Sequence, residues 1–462
     1  MERSNIRHLF IAESNIILMP IEICTLGGYS ATGGNSVAIK VGEEVVILDM
    51  GLYMENYIRY TEDREDVSAK TYKDLLKVEA VPDYNAIADW KERVIAIVPS
   101  HAHLDHCGAI PFAASLFPQA PIICTPYTVE VIKGAVGDER MELQNKIIPL
   151  NANSTYVLSK SITIEFVHVT HSIPQTVVVV LHTPEGKVMY ANDYKLDSTP
   201  TLGKGPNIER LEELGKEGIA VLIVECLYAH EHRKMPSESV ARQMLKEVML
   251  DTNSEGKGMI VTTFSSHIAR LKSIIEMGQK LNRKIVFLGR SLEKYVKAAE
   301  TVGIVNFSKD VQIVGYRDQV ERMLRRIVKE GKEKYLIVCT GHQGEPRAIL
   351  SRIARGETGF RFDEGDIVVF SCSVIPVELN QHNREKLEQN LHGKNIRIFK
   401  DVHASGHAAR EDHRILLELV KPKAVIPAHA GGEKARELAD LATKMGCKKV
   451  YLMENGKRVT IK

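Results

Sequence analysis

Residues 101–106 read His101-Ala102-His103-Leu104-Asp105-His106, directly after the apolar run Val94-Ile95-Ala96-Ile97-Val98. Imidazoles and carboxylates of this kind are ligands for zinc and similar transition ions. In an extended segment, side chains at i and i+2 point the same way. His101 and His103 can therefore grip one ion. Asp105 and His106, displaced onto the next turn, suit a second. Two neighbouring ions are the arrangement that hydrolases use on phosphate esters. The bland alternative is a histidine cluster that merely finishes a strand. The spacing after a buried run favours the metal.

Further ligand types stand just after apolar runs. His171 follows 164–169, Asp193 follows 188–191 and His429 follows 425–428. Taken singly each is ambiguous; together with the first motif they supply what two ions need.

The elements that must hold these residues are legible as two rhythms. Between 20 and 230, short strand-like runs at 21–26, 36–40, 44–49, 94–99, 122–125, 162–169, 177–182 and 188–191 are separated by Gly-rich turns. Repeated strands with few helices predict two packed sheets and not a doubly wound one. Residues 55–92 are polar and partly helical, an expected excursion over the mouth of the site. After about 230, buried runs at 259–264, 284–288, 335–340 and 366–371 alternate with helical patterns at 237–250, 268–281, 292–302 and 318–329. That alternation predicts a parallel sheet with crossover helices. The metal theme then returns: a run at 396–400, the histidines of 403–407, a helix at 408–419 and a strand at 424–427 lead to His429. The expected organisation is an extension at 1–18, the first part of one domain at 19–229, an inserted α/β domain at 230–400, and the second part of the first domain at 401–462.

The formal net charge is +2, so no overwhelming basic field advertises nucleic acid, although a local groove is compatible with that sum. The seven cysteines are scattered, with no Cys-x-x-Cys pair. They read as small core residues of a reducing compartment, which makes a cytoplasmic location the expectation. No apolar run approaches the roughly 20 residues that span a bilayer. The first residues lack a signal peptide's layout, so no membrane association is expected.

Asp49 in Ile47-Leu48-Asp49-Met50-Gly51, the 101–106 motif, His171, Asp193 and His429 resemble the metallo-β-lactamase superfamily. The resemblance implies an α/β fold built as an αββα sandwich. It implies His101, His103 and His171 on one ion, Asp105, His106 and His429 on the other, and Asp193 bridging. Asp49 would orient a ligand and the nucleophilic water. Glu225 at the end of the run 220–224, His407 in His403-Ala404-Ser405-Gly406-His407-Ala408, and His429 are similar to the three motifs of the β-CASP nucleases. In that group an inserted domain caps the metal cleft and makes a groove for a nucleic-acid strand. Glu225 would hydrogen-bond His407 and raise its readiness to be protonated. A histidine at 429 is similar to the RNA-directed members.

From residue 19 onward the likeness narrows to the archaeal-type RNase J group. It is carried by Leu26-Gly27-Gly28-Tyr29, Thr263-Phe264-Ser265-Ser266-His267, Gly289-Arg290-Ser291, Thr340-Gly341-His342-Gln343-Gly344-Glu345-Pro346 and 403–407. It implies two divalent ions per chain, zinc or manganese, and single-stranded RNA as substrate. Water would attack the phosphate in line, leaving a 5′ phosphate. His407 would protonate the departing 3′ oxygen, while His403 and the Ser405-Gly406 backbone hold the non-bridging oxygens. Ser265, Ser266 and His267, with Gly341, His342 and Gly344, would form a pocket for a 5′ monophosphate. Such a stop makes a 5′-to-3′ exoribonuclease; without it the same centre is an endoribonuclease. Two rivals come from other classes: a small-molecule metallo-hydrolase, which leaves the insertion without a purpose, and a non-catalytic RNA-binding scaffold, whose relatives tend to lose ligands. The stretch before residue 19 is too short for the KH modules of some relatives. The stretch after His429 is too short for the C-terminal domain that helps bacterial members dimerise, so a homodimer stays an open alternative.

Overall fold

The computed structural model describes residues 20–62, 70–375 and 377–461; the expected extension at 1–18 lies outside them. Two seven-stranded sheets form the core of the molecule. In the first, the strand order is Lys457–Ile461, Ile21–Gly27, Ser36–Val41, Glu44–Leu48, Val94–Val98, Ile122–Cys124 and Ile147–Pro149. In the second it is Lys449–Val450, Ala424–Ala428, Ile219–Glu225, Gly186–Ala191, Val177–Thr183, Thr163–His168 and Ser154–Val157.

Successive residues of a strand face opposite sides of its sheet, and the chain uses both sides. Ile21, Ile23, Val37, Ile39, Val46 and Leu48 of the first sheet pack against Ile164, Phe166, Val179 and Leu181 of the second. The alternate residues Cys24, Ala38, Val45 and Ile47 face outward to Ile110, Phe112 and Ile132. Val178, Val180, Met189 and Leu222 face outward to Leu211, Leu416 and Leu438. The result is the expected α/β sandwich of helix, sheet, sheet and helix. It carries more helices than the apolar runs suggest: Pro126–Asp138, Ile208–Glu217 and Gly432–Lys444 cover its outer faces. In the segment 55–92, Leu75, Tyr84, Ile87 and Trp90 are buried in the outer core of the first sheet, so its described residues from 70 onward cover that sheet. Its apolar residues are too widely spaced among charges to show a helical period.

The third sheet is entirely parallel, in the order Val311–Val314, Lys284–Leu288, Tyr335–Cys339, Met259–Thr262, Ile367–Phe370 and Arg397–Phe399. Its two faces are both buried, under separate helical layers. The strand Ile219–Glu225 leaves the second sheet before this region, and Ala424–Ala428 re-enters that sheet as its direct parallel neighbour. In open parallel sheets the carboxyl ends of the strands carry the ligand-binding loops. Here 263–267, 340–344 and 400–407 are those loops.

Candidate active site

Every expected ligand, and the two carboxylates expected to position histidines, sits at or just past a strand end. Asp49 follows Glu44–Leu48, and the segment 101–106 follows Val94–Val98. His171, Asp193, Glu225 and His429 close or follow four strands of the second sheet. Asp49 and His429 have φ of 58° and 64°. The left-handed region is costly for residues other than glycine and is found where a site over-determines the backbone.

The imidazoles and carboxylates converge in two groups. His101, His103, His171 and Asp193 offer ligand atoms within 4.8 Å of one another, and so do Asp105, His106 and His429. His103 Nδ1 lies 3.1 Å from His101 Nε2 and 3.0 Å from His171 Nε2. Asp193 Oδ2 lies 3.6 Å from His101 Nε2 and 3.3 Å from both His171 Nε2 and His106 Nε2. His106 Nε2 stands 3.5 Å from Asp105 Oδ2, which is 4.0 Å from His429 Nε2. A tetrahedral ion with bonds of about 2.0–2.1 Å holds its ligand atoms about 3.3 Å apart, so the cluster fits metal. The other oxygen of Asp193, Oδ1, is buried without a hydrogen-bond partner among the described residues. Burial disfavours the Asp193 charge, but His106, His429 and His407 hold its pKa well below the usual range. Burial also keeps His103 and His429 down at about 4 and holds His101 and His171 well below the usual histidine value. They are neutral at pH 7, as ligands must be.

The nitrogens turned away from the cluster are held in place. His171 Nδ1–H donates to the Gly406 carbonyl at 2.7 Å. His106 Nδ1–H donates to Asp49 at 2.6 Å. His101 Nδ1–H donates to Ser100 Oγ at 3.0 Å, and that hydroxyl donates to Asp49 at 3.0 Å. Asp49 also receives the Ser100 amide at 2.6 Å and Tyr190 Oη–H at 2.7 Å. Its carboxylate thus acts on the cluster through His106 and the Ser100 hydroxyl. The Asn35 side-chain nitrogen donates to the Asp105 carbonyl and lies 2.7 Å from His429 Nδ1.

His407 stands against the cluster, its ring stacked on His429 at 5.3 Å. Its Nδ1 is 2.9 Å from Glu225 Oε2 and 3.8 Å from Asp193 Oδ2. Burial alone would depress the His407 pKa; Glu225 and Asp193 reverse that and bring it up to about 9. The pair therefore keeps a proton on the imidazole at neutral pH. Glu225 is itself fixed by the amides of Tyr194 and Ala408.

The loop that carries His403 and His407 is pinned by its carbonyls. Arg270 Nη1–H donates to Val402 O at 3.2 Å and Nη2–H to Ala404 O at 3.4 Å. Lys195 Nζ–H donates to Ser405 O at 2.9 Å. With the carbonyls engaged on one side, the Ser405 and Gly406 amides have no partner among the described residues. A Cβ on Gly406 would meet Ser172 N at 2.6 Å and His171 Nδ1 at 2.8 Å, so only glycine allows this approach. Arg270 is fully buried and paired with Glu238 through Nε and Nη2, at 2.5 and 2.8 Å. It also lies 3.3 Å from His403 Nδ1. A guanidinium only donates, so Nδ1 accepts and His403 Nε2 carries the proton. Neither Arg270 nor Lys195 was marked by the sequence, since each is a single charge beside an ordinary apolar run. Arg270→Lys is expected to lower kcat by about tenfold or more, because a hydrogen bond from a charged group contributes about 1.5–3 kcal/mol. Metal content, measured beside the rate, should stay at the parent value.

The two loops expected at a phosphate pocket lie side by side, joined by the rings of Phe264 and His342 at 4.4 Å. His342 Nδ1 is buried and unpartnered among the described residues. Gly344, at φ +81°, lets the chain approach the backbone of Asn383, and its amide bonds to the Gly341 carbonyl. Ser265 is half-buried, while Ser266 is 8 % exposed with Oγ 3.2 Å from His103 Nε2. His267 does not join them. Its ring is buried, caps the helix Ile268–Lys280 by accepting the Arg270 amide, and lies 3.3 Å from Glu238. A histidine before a helix reads equally well as a cap or a ligand, and here the cap takes it.

Residues 78–252 match a family described as a beta-lactamase superfamily domain, 256–387 the ribonuclease J beta-CASP domain, and 394–453 a Zn-dependent metallo-hydrolase RNA specificity domain. Ribonuclease J of Methanocaldococcus jannaschii is 41 % identical over 95 % of this chain and 98 % of that protein. Ribonuclease J of Pyrococcus abyssi is 42 % identical over 96 % of this chain and 97 % of its own length. Ribonuclease J 1 of Streptococcus pyogenes is 32 % identical over 96 % of this chain and 75 % of the relative. A crystal structure of an Enterococcus faecalis protein of unknown function shares the fold, with a TM-score of 0.65 at 18 % identity over 96 % of this chain and all of that one. With its His/Asp cluster, its parallel-sheet domain and full-length likeness to the archaeal proteins, the chain belongs to the ribonuclease J family of beta-CASP metallo-hydrolases.

Proposed function

We propose that this protein is a two-metal 5′-to-3′ exoribonuclease that degrades single-stranded RNA from 5′-monophosphate ends. The observation that supports it most is the position of His407, held by Glu225 at 2.9 Å and only 3.8 Å from the Asp193 carboxylate, which reaches histidines of both ligand groups. When bound, divalent ions supply a water acidified to a pKa of about 7 and neutralise the scissile phosphate. His101, His103, His171 and Asp193 would hold one, and Asp105, His106, His429 and Asp193 the other. Their nitrogen and oxygen donors suit zinc, with manganese as the alternative.

His403 Nε2–H and the Ser405 and Gly406 amides bind the non-bridging phosphate oxygens. His407 carries the proton that the departing 3′ oxygen takes up. Asp49 and Glu225 position their histidines. The half-buried Ser265 and the Gly341–Gly344 turn receive the terminal phosphate, with Ser266 supporting from behind. Backbone contacts orient RNA without reading it, so sequence preference is weak. The segments 19–229 and 401–462 act as the metal domain and 230–400 as its cap. The described residues contain no helix long and apolar enough to cross a membrane, and all seven cysteines are free thiols. Both facts support action in the cytoplasm. A homodimer is the alternative to a single subunit, and sedimentation distinguishes them.

The exonuclease reading is tested with 5′-monophosphorylated, 5′-triphosphorylated and circular RNA of one sequence. Mononucleotides released from the monophosphate form alone are expected. Rapid cutting of the circle would instead make the protein an endonuclease, and no cleavage with any divalent ion would remove the nuclease reading.

A further inference from the structure

Each ligand histidine on the first ion has its second nitrogen held, but the holders come from different parts of the molecule. His101 is held by Ser100 of its own segment, and His171 by the Gly406 carbonyl. His103 turns Nδ1 toward its fellow ligands. An imidazole that gives one nitrogen to a metal keeps its proton on the other. For His103 that is Nε2, and its acceptor at 3.2 Å is Ser266 Oγ. Ser266 belongs to the parallel-sheet domain, four residues beyond the strand Met259–Thr262 and just ahead of the helix Ile268–Lys280.

The turn that carries Ser266 cannot drift independently of that domain. The next residue, His267, caps the helix, and Arg270 one turn on is clamped by Glu238 and Ser371. The place of Ser266 Oγ on His103 therefore follows the seating of the parallel-sheet domain on the sandwich. The same turn continues from Phe264, which joins it to the 340–344 loop.

We infer that Ser266 is a positioning residue that links RNA binding to metal retention. RNA clasped between the sandwich and the parallel-sheet domain seats that domain, Ser266 then fixes the His103 ring, and the ions are held more tightly than in free protein. Binding linkage is reciprocal, so the ions strengthen RNA binding by the same factor. This inference rests on the reading of the cluster as a metal centre and of the cleft as the RNA site.

The test follows zinc transfer from the loaded full-length protein to an excess of a coloured chelator, with and without a phosphorothioate RNA that resists cleavage. Ser266→Ala is expected to release its more labile zinc roughly 10–100-fold faster, the usual cost of losing a residue that orients a ligand. RNA should slow release several-fold in the parent and have little effect in the variant. Ser266→Thr, which keeps the hydroxyl, should behave as the parent. Release from Ser266→Ala at the parent rate, or equal slowing of both proteins by RNA, would overturn the link. A parent that takes up neither zinc nor manganese would overturn the metal centre itself, and the link with it.

Discussion

Asp193→Ala is expected to lose at least one bound ion and to cut RNA more than 100-fold more slowly than the parent. Residues that merely orient a ligand cost roughly 10–100-fold when removed; Asp193 belongs to the first ligand group and also reaches His106 and His429 of the second, so it should cost more. It is the carboxylate within reach of His101, His106, His171 and His429 together. Without its charge, neutral imidazoles and Asp105 alone would face two dications. Asp193→Asn keeps the shape and removes the charge, so it should fall near alanine in both metal content and rate. Elemental analysis of the dialysed protein, read beside single-turnover cleavage, decides the point. A variant that keeps its metal and its rate would exclude Asp193 from the centre.

His407→Ala is expected to lower the cleavage rate by about 10²–10⁴-fold, the usual contribution of a positioned general acid, while metal content stays at the parent value. The loss should be confined to substrates that need a proton on the leaving oxygen. An RNA whose scissile 3′ oxygen is replaced by sulfur leaves without protonation, so parent and variant should cut it at similar rates. Glu225→Gln gives the companion pH effect. The Glu225 carboxylate helps hold His407 up at about 9 against burial. The acid form is the active one, so activity falls as pH rises through that value. Removing the carboxylate removes support for the imidazolium, and the alkaline fall should move to lower pH. A variant with the parent's alkaline limb would mean that His407 is not the proton donor.

The sheets and the candidate ligands were legible because both leave local marks. Strand runs such as 94–98 and 335–339 are continuous and apolar, and the residue that follows a strand end is where a ligand must stand. The 101–106 motif packs three imidazoles and a carboxylate into six residues. His171, Asp193 and His429 could be picked by the same rule, although 70 to 328 residues separate them from His101 in sequence. Strand ends were less legible: Asp49 reads as strand but turns left-handed at φ 58°, because its carboxylate must reach Ser100, His106 and Tyr190. The supporting residues left little or no mark. Ser266 meets His103 across 163 positions and Lys195 meets Ser405 across 210. Such contacts join elements far apart in the chain, across the two domains for Ser266 and within the metal domain for Lys195, and have no period in the chain. Arg270 looked like an ordinary helical charge, yet it is fully buried beneath the 402–404 carbonyls. His267 is the converse case, a histidine with chemistry in its type whose ring here caps the helix Ile268–Lys280.

The central claim is that these seven ligands hold two neighbouring ions, and anomalous X-ray scattering from zinc-loaded crystals tests it most directly. The expected map has two peaks about 3.5–4 Å apart, one among His101, His103 and His171, the other among Asp105, His106 and His429, with Asp193 between them. A single peak at full zinc loading, or peaks away from Asp193, would contradict it.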